Sequence, residues 1–388
     1  MKKSLNIFLE TKLLEQQQQH LFRYFHARQN TFTSTAQYEN KEYLAFTNND
    51  YLGLSHHPAI KNAAQHAMEQ YGVGSTAAHS IGGHCHAHDE LEQALAQSTQ
   101  RESALVFSTG YMTNLGVISA LVNAEDRVFA DRLVHASIID GAHLSCAPLI
   151  RYHHNNISHL KLKLARYDQG HKLIVSESVF SMDGDIAPLH ELIAVAQEHQ
   201  AWLMIDDAHG FGVLGKQGGG CCEQFNLTAD DVPILVGTLS KAIGCFGGFV
   251  AGSKTLIESV RQFARPYLFT TALPPLLAQA GLTSLEIVKT ETWRREYLQD
   301  LIAYFRTRAA ELNFPLMPSN TPIQPIVLGD NEKVMKIQNH LRERGILVAA
   351  IRPPTVPAQT ARLRISLNVG HSKQDIDRLI DALKKEED

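Results

Sequence analysis

At 388 residues the chain exceeds one ordinary domain, which sets two or three domains as the expectation. Hydrophobic residues at 44% and charged residues at 20% are usual for a globular fold, and 36 Lys plus Arg against 40 Asp plus Glu leave −4 with histidine neutral. That balance excludes the basic footprint of a nucleic-acid binder. No apolar run approaches the ~20 residues that span a bilayer.

The N-terminal stretch MKKSLNIFLETKLLEQQQQHLF has two early lysines, but Glu10, Lys12 and Glu15 interrupt any apolar core. It reads as a starting helix rather than a secretory signal, and residues 1–47 are expected to form an N-terminal helical segment. Five cysteines, with Cys221 and Cys222 adjacent, suit neither a disulfide framework nor a zinc motif, so a cytoplasmic location is expected. His84, His86 and His88 alternate in GHCHAHDELE without an evident further ligand. No metal is therefore expected there, and the segment reads as a loop entering a helix.

From about residue 100, short apolar runs alternate with helical patterns. Strands are expected at 104–107, 127–130, 149–153, 172–177, 201–206, 234–239 and 247–252, with helices near 111–122, 136–145 and 188–200. Pro188 is placed in the first turn of the last of these helices. Strands that are apolar throughout suit burial on both faces, which predicts a mostly parallel sheet covered by helices. After RPYLFTTALPP the pattern changes: 276–312 reads as one or two long helices, followed by strands in 322–329, 346–351 and 362–367. Ser372 and Asp375 form a capping-box pattern before a last helix. The fold class is thus α/β, with a large doubly wound domain over 48–275 and a linking helix plus small α+β domain over 276–388.

Neither GxxxxGK[ST] nor a GxGxxG after a strand is present, so both nucleotide-loop readings fail. Polar residues gather instead where strands end. AWLMI runs into Asp206, Asp207 and His209; ILVG runs into Thr238 and Lys241; KLIVSE runs towards Ser181 and Asp183; LVFS runs into Thr109, Gly110 and Tyr111. Singly, each reads as a cap, a turn former or a solvated charge. Together they supply a glycine turn at a helix N-terminus for a phosphate, a lysine able to form an imine, and an acid able to keep a pyridine nitrogen protonated. Pyridoxal 5'-phosphate (PLP) requires that set.

Six ordered segments, NNDYLGLSHHP (48–58), STGYMTNLG (108–116), ESVFSMDGD (177–185), DDAHGFGVLG (206–215), GTLSKAIGCFGG (237–248) and FTTALPP (269–275), resemble the α-oxoamine synthases, which are fold-type I PLP enzymes. The likeness runs from about residue 20 to 385. It implies that Lys241 is the Schiff-base lysine, Asp206 the partner of the pyridine nitrogen, His135 the ring that stacks on the cofactor, and His209 a partner of its phenolic oxygen. Gly110, Tyr111, Ser181 and Thr238 match phosphate and ring contacts, and Thr270 and Thr271 match residues reaching a phosphate across a dimer interface. Asn49 and Arg364 match contacts to an amino-acid carboxylate, and Arg23 and Thr355 match the acyl side, with His135 also touching substrate.

The segments TPIQPIVLGDN (321–331) and AIRPPTVPAQTARLRISL (350–367) are most similar to the branch that condenses L-alanine with a pimeloyl thioester in biotin synthesis. The resemblance implies a homodimer with shared active sites. A sibling joining glycine to acetyl-CoA is the nearest alternative. A non-catalytic partner subunit is the alternative of another class, and the presence of Lys241, Asp206 and His135 weighs against it.

Overall fold

The computed structural model describes residues 4–29, 33–312 and 314–384. The chain divides into two compact units, one of Asn49–Ser181 and Asp185–Gln299, the other of Met1–Asn48, Met182–Gly184 and Asp300–Asp388. The smaller unit opens with β1 (Thr35–Tyr38) and β2 (Lys41–Phe46). The larger supplies β3 (Ser103–Phe107), β4 (Arg127–Asp131), β5 (Leu149–Tyr152), β6 (Lys172–Glu177), β7 (Trp202–Asp206), β8 (Ile234–Thr238) and β9 (Gly248–Gly252). Strands β10 (Ile323–Gly329), β11 (Ile346–Ile351) and β12 (Ala361–Ser366) return to the smaller unit.

The seven-stranded sheet of the larger unit has the order β3-β9-β8-β7-β6-β4-β5. Pairings from β5 through β8 are all parallel, and β9 runs antiparallel to both β8 and β3. The apolar runs explain this arrangement. Leu173, Ile174 and Val175 of β6 and Met204 and Ile205 of β7 have no exposed surface, so successive side chains are buried on both faces. The helix Leu189–Glu198 covers the sheet with Leu189, Leu192, Ile193 and Ala196 buried at helical spacing. Pro188 is its N-cap rather than a first-turn residue. Because β4, β6, β7 and β8 are parallel, their carboxyl ends open on one edge, where the polar strand-end motifs collect.

In the smaller unit the sheet order is β1-β2-β11-β12-β10. An N-terminal segment that is only helical does not describe this region. The helix Leu5–Gln18 is present, but β1 and β2 follow as a hairpin, and β2 pairs in parallel with β11. Glu39 and Asn40 both have positive φ (49° and 62°), the two-residue turn that matches the twist of a hairpin. Residues 1–48 therefore cluster with 300–388, while 276–299 cluster with the larger unit. The capping box forms as the pattern predicts, Ser372 N donating to Asp375 Oδ2 at 2.8 Å and Asp375 N to Ser372 Oγ at 3.2 Å. No helix among the described residues is long and apolar enough to cross a membrane.

Candidate active site

Asp206 is the last residue of β7 and is buried. Its Oδ1 accepts from Ala208 N at 3.0 Å, and its Oδ2 accepts from Asn114 Nδ2 at 2.7 Å. Asn114 lies on the helix Gly110–Leu121 and also donates to Ser137 Oγ at 2.9 Å. Ser137 Oγ is 2.7 Å from His135 Nδ1, and Ser137 N donates to the same nitrogen at 3.3 Å. Since His135 Nδ1 already accepts from Ser137 N, it carries no hydrogen to give, and the Ser137 hydroxyl donates to it as well. Nδ1 thus receives two donors and carries no proton of its own, which places the proton of a neutral ring on Nε2. Burial and the Lys241 charge lower the His135 pKa, against the attraction of Asp206. The ring is crowded on its Nδ1 side but keeps surface open to solvent, so a donating Nε2–H is available to a ligand.

Lys241 is half-buried in the turn after β8. Its charge acts on both His135 and Glu177, and so does that of Asp206, so the four groups share one site. Thr238 Oγ1 and Ser240 Oγ donate to Gly247 O at 2.8 and 3.2 Å, closing the turn that carries the lysine. His209 Nδ1 is 2.7 Å from Tyr51 Oη, and Tyr51 Oη donates to Asn49 Oδ1 at 3.2 Å.

The helix Gly110–Leu121 begins with Thr109 as N-cap, whose Oγ1 accepts from Met112 N at 3.1 Å. First-turn N–H groups lie beyond the reach of any intrahelical carbonyl and suit an anion. Bare backbone is needed at Gly248, where a Cβ would sit 2.6 Å from Gly110 N. Tyr111 is exposed, donates to Asp140, and meets the His135 ring edge-on with centroids 6.0 Å apart. These features fit PLP: an anion cradle, an amine, and a buried carboxylate with lone pairs left for a ring N–H.

Three residues of this site were missed from sequence. Asn114 and Ser137 read as ordinary helix positions, although Asn114 lies inside the quoted segment STGYMTNLG. Glu177 is wholly buried at the end of β6, opposite Asp206 in register, and its Oε2 accepts from Ser181 N at 3.3 Å. Burial first, then the Asp206 charge, push its pKa up to about 8.

The other expected residues lie as follows. Thr271 is exposed, pairs with Ala78 in an isolated bridge, and accepts from Ser108 Oγ at its carbonyl, 3.3 Å away; Thr270 is half-buried beside it. Within the smaller unit, Arg23 Nη2 donates to Thr355 Oγ1 at 3.3 Å across 332 residues of sequence. Arg364 is buried on β12 and donates to Ser366 Oγ at 2.7 Å. The histidine triplet splits: His84 and His88 stack with ring centroids 5.1 Å apart, His88 being buried and donating to Leu273 O at 2.6 Å, while His86 is exposed near Glu90. The fold does bring further groups to His84, whose atoms lie with those of Asp89 and Glu92 within 4.8 Å of one another. Arg261, 3.5 Å from Glu92, adds a positive charge at that place.

The model of the family "Aminotransferase class I and II" matches residues 41–383. The chain is 50% identical over 375 residues to an 8-amino-7-oxononanoate synthase from Cellvibrio japonicus, covering 97% of this chain and 94% of the relative. It is 53% identical over 345 residues to one from Saccharophagus degradans, covering 89% and 87%. Among solved structures, a serine palmitoyltransferase from S. paucimobilis with bound PLP–myriocin aldimine superposes with a TM-score of 0.93 at 32% identity, covering 99% and 98%. An 8-amino-7-oxononanoate synthase from Francisella tularensis gives 0.79 at 34% identity, covering 89% and 97%.

Proposed function

The chain belongs to the class I and II aminotransferase family and, within it, to the 8-amino-7-oxononanoate synthases, and from that premise we propose that it joins L-alanine to a pimeloyl thioester, releasing carbon dioxide and the free thiol carrier. This is the biotin-forming branch of the PLP-dependent acyltransferases, working in the cytoplasm. The observation that carries the reading within the molecule is the convergence of Lys241, Asp206, His135 and Glu177 at the carboxyl edge of the large sheet.

PLP, when bound, supplies an electron sink for the charge left on the amino acid's α-carbon. Lys241 Nζ would hold the cofactor through its aldehyde, and as a free amine it would take the alanine α-proton. Asp206, steadied by Asn114 and Ala208 N, would accept from the ring N–H of the cofactor. Gly110 and Tyr111 would offer first-turn N–H groups to the phosphate, and Thr238 and Ser181 are assigned to the same cofactor. His135 keeps its Nδ1 towards Ser137 and presents Nε2–H to the reactants. Asn49 and Arg364 are assigned to the alanine carboxylate, Arg364 offering a bidentate fork.

On the acyl side, Arg23 and Thr355 are assigned to the distal carboxylate of pimelate. Arg352 supports this: burial and the neighbouring Arg23 charge lower its pKa, so two guanidiniums repel each other where an anion would settle both. A homodimer is part of the proposal. Leu5, Phe8, Leu13 and Leu14 of the first helix are exposed in the smaller unit, as are Val73, Ile81 and Phe269 in the larger. Thr270 and Thr271 are assigned to the partner's phosphate.

The direct test is mass analysis of products from purified protein, PLP, alanine and pimeloyl-CoA, with glycine and acetyl-CoA in parallel. The expected product is the amino-ketone of alanine and the pimeloyl group. Preferential use of glycine with acetyl-CoA would assign the chain to that sibling activity.

A further inference from the structure

Two carboxylates of the large unit converge on one imidazole. Asp131 ends β4, and its Oδ1 accepts from Leu133 N at 2.8 Å, so it anchors the turn that leads to His135. Asp185 closes the excursion after β6 that carries Ser181: Phe180 N donates to Asp185 O at 3.0 Å, and Val179 bridges Ile186. His154 follows β5 and lies between the two acids. Its Nδ1 is 3.0 Å from Asp131 Oδ1 and its Nε2 is 2.8 Å from Asp185 Oδ2. The ring also meets Phe180 edge-on, with centroids 4.4 Å apart at 88°. Asn155 repeats the link, its N donating to Asp131 Oδ2 at 2.8 Å and its Nδ2 to Asp185 Oδ2 at 2.7 Å.

We propose that His154 is a positioning residue for the reaction, a cationic strut that ties the turn bearing His135 to the loop bearing Ser181. A neutral imidazole has one N–H and cannot donate to two carboxylates at once, whereas the imidazolium donates to both. Asp131 is fully buried, so a lost partner there would leave a charge without water. Burial alone would lower the His154 pKa, but the hydrogen bonds and charges of Asp131 and Asp185 outweigh it and lift the value to about 10. Those two acids are the charged groups that face the ring, and Phe180 closes another side. The strut thus keeps its charge throughout the neutral range, unlike an ordinary histidine. It touches neither reactant, and it acts by fixing the separation of His135 and Ser181.

The functional part of this inference rests on the assignment of His135 and Ser181 to the cofactor; the protonation state does not. Nitrogen NMR of histidine-labelled holoenzyme, with the signal assigned by its loss in His154→Gln, should find both ring nitrogens protonated from about pH 6 to about pH 9. A ring titrating near the ordinary value of about 6.5 overturns the strut, whatever the substrate. His154→Gln should weaken PLP binding about 10-fold or more. In a Ser181→Ala background the same change should add less than about 3-fold, because the two residues act as one unit. Independent losses, or a variant that only melts earlier while holding PLP as tightly as before, overturn the positioning role. Should His154→Gln not fold, Asp185→Asn spares the Asp131 arm and should give the same coupling with Ser181. Failure of the wild type to bind PLP would instead defeat the assignment of the site.

Discussion

Glu177 and Asp206 stand opposite each other as the last residues of neighbouring parallel strands, and they are treated differently by the fold. Asp206 receives two donated hydrogen bonds, whereas Glu177 Oε1 is buried with no partner among the described residues. Glu177 holds a proton in the folded chain up to about pH 8, against 4.5 for an ordinary glutamate. Between those values the folded chain binds a proton that the unfolded chain has released. Stability therefore falls as pH rises through that window. Glu177→Gln should flatten the fall in the melting temperature of cofactor-free protein and be more stable than wild type near pH 8. Superimposable curves for the two proteins would refute the buried proton.

Lys241→Ala should fold, since Thr238 and Ser240 close their turn on Gly247 O without the lysine side chain. The variant should lose the visible absorbance of lysine-bound PLP and all turnover. Normal turnover would remove Lys241 from the chemistry.

Asp206→Asn and Asn114→Ala attack one hydrogen-bonded charge from its two ends. A bond to a charged group contributes about 1.5–3 kcal/mol. Lost only in the transition state, that slows α-proton exchange from alanine roughly 10- to 150-fold. Asn114→Ala should slow the same exchange, because one of the two hydrogen bonds that Asp206 accepts is lost with it. An unchanged exchange rate in Asp206→Asn would show that the carboxylate does not serve the ring nitrogen.

Arg23→Ala should raise KM for the pimeloyl donor roughly 10- to 150-fold with kcat little altered, from the same range of about 1.5–3 kcal/mol. The KM for alanine should barely move. Equal effects on both substrates would take Arg23 away from the distal carboxylate.

Sedimentation should give a dimer, and mixing inactive Lys241→Ala with inactive Thr270→Ala/Thr271→Ala chains should restore part of the activity through hybrid sites. A fully active monomer, or no complementation in verified hybrids, would remove the shared-site arrangement.

What the sequence by itself determined is the part of the molecule governed by local pattern. Unbroken apolar runs such as LIV in β6 and LMI in β7 require burial on both faces, which dictates a mostly parallel sheet with covering helices. Parallel strands deliver their polar sequels to one edge, so Asp206, Lys241 and Ser181 were legible as a set. Tertiary structure alone decided which side chains touch. The path from His135 through Ser137 and Asn114 to Asp206 joins residues up to 92 apart, and the Arg23–Thr355 bond joins residues 332 apart. It also drew the β1–β2 hairpin onto β11, far along the chain. Glu177 shows the reason most clearly: its proton is set by burial and by a neighbour on another strand, and neither is a property of the segment in which it lies.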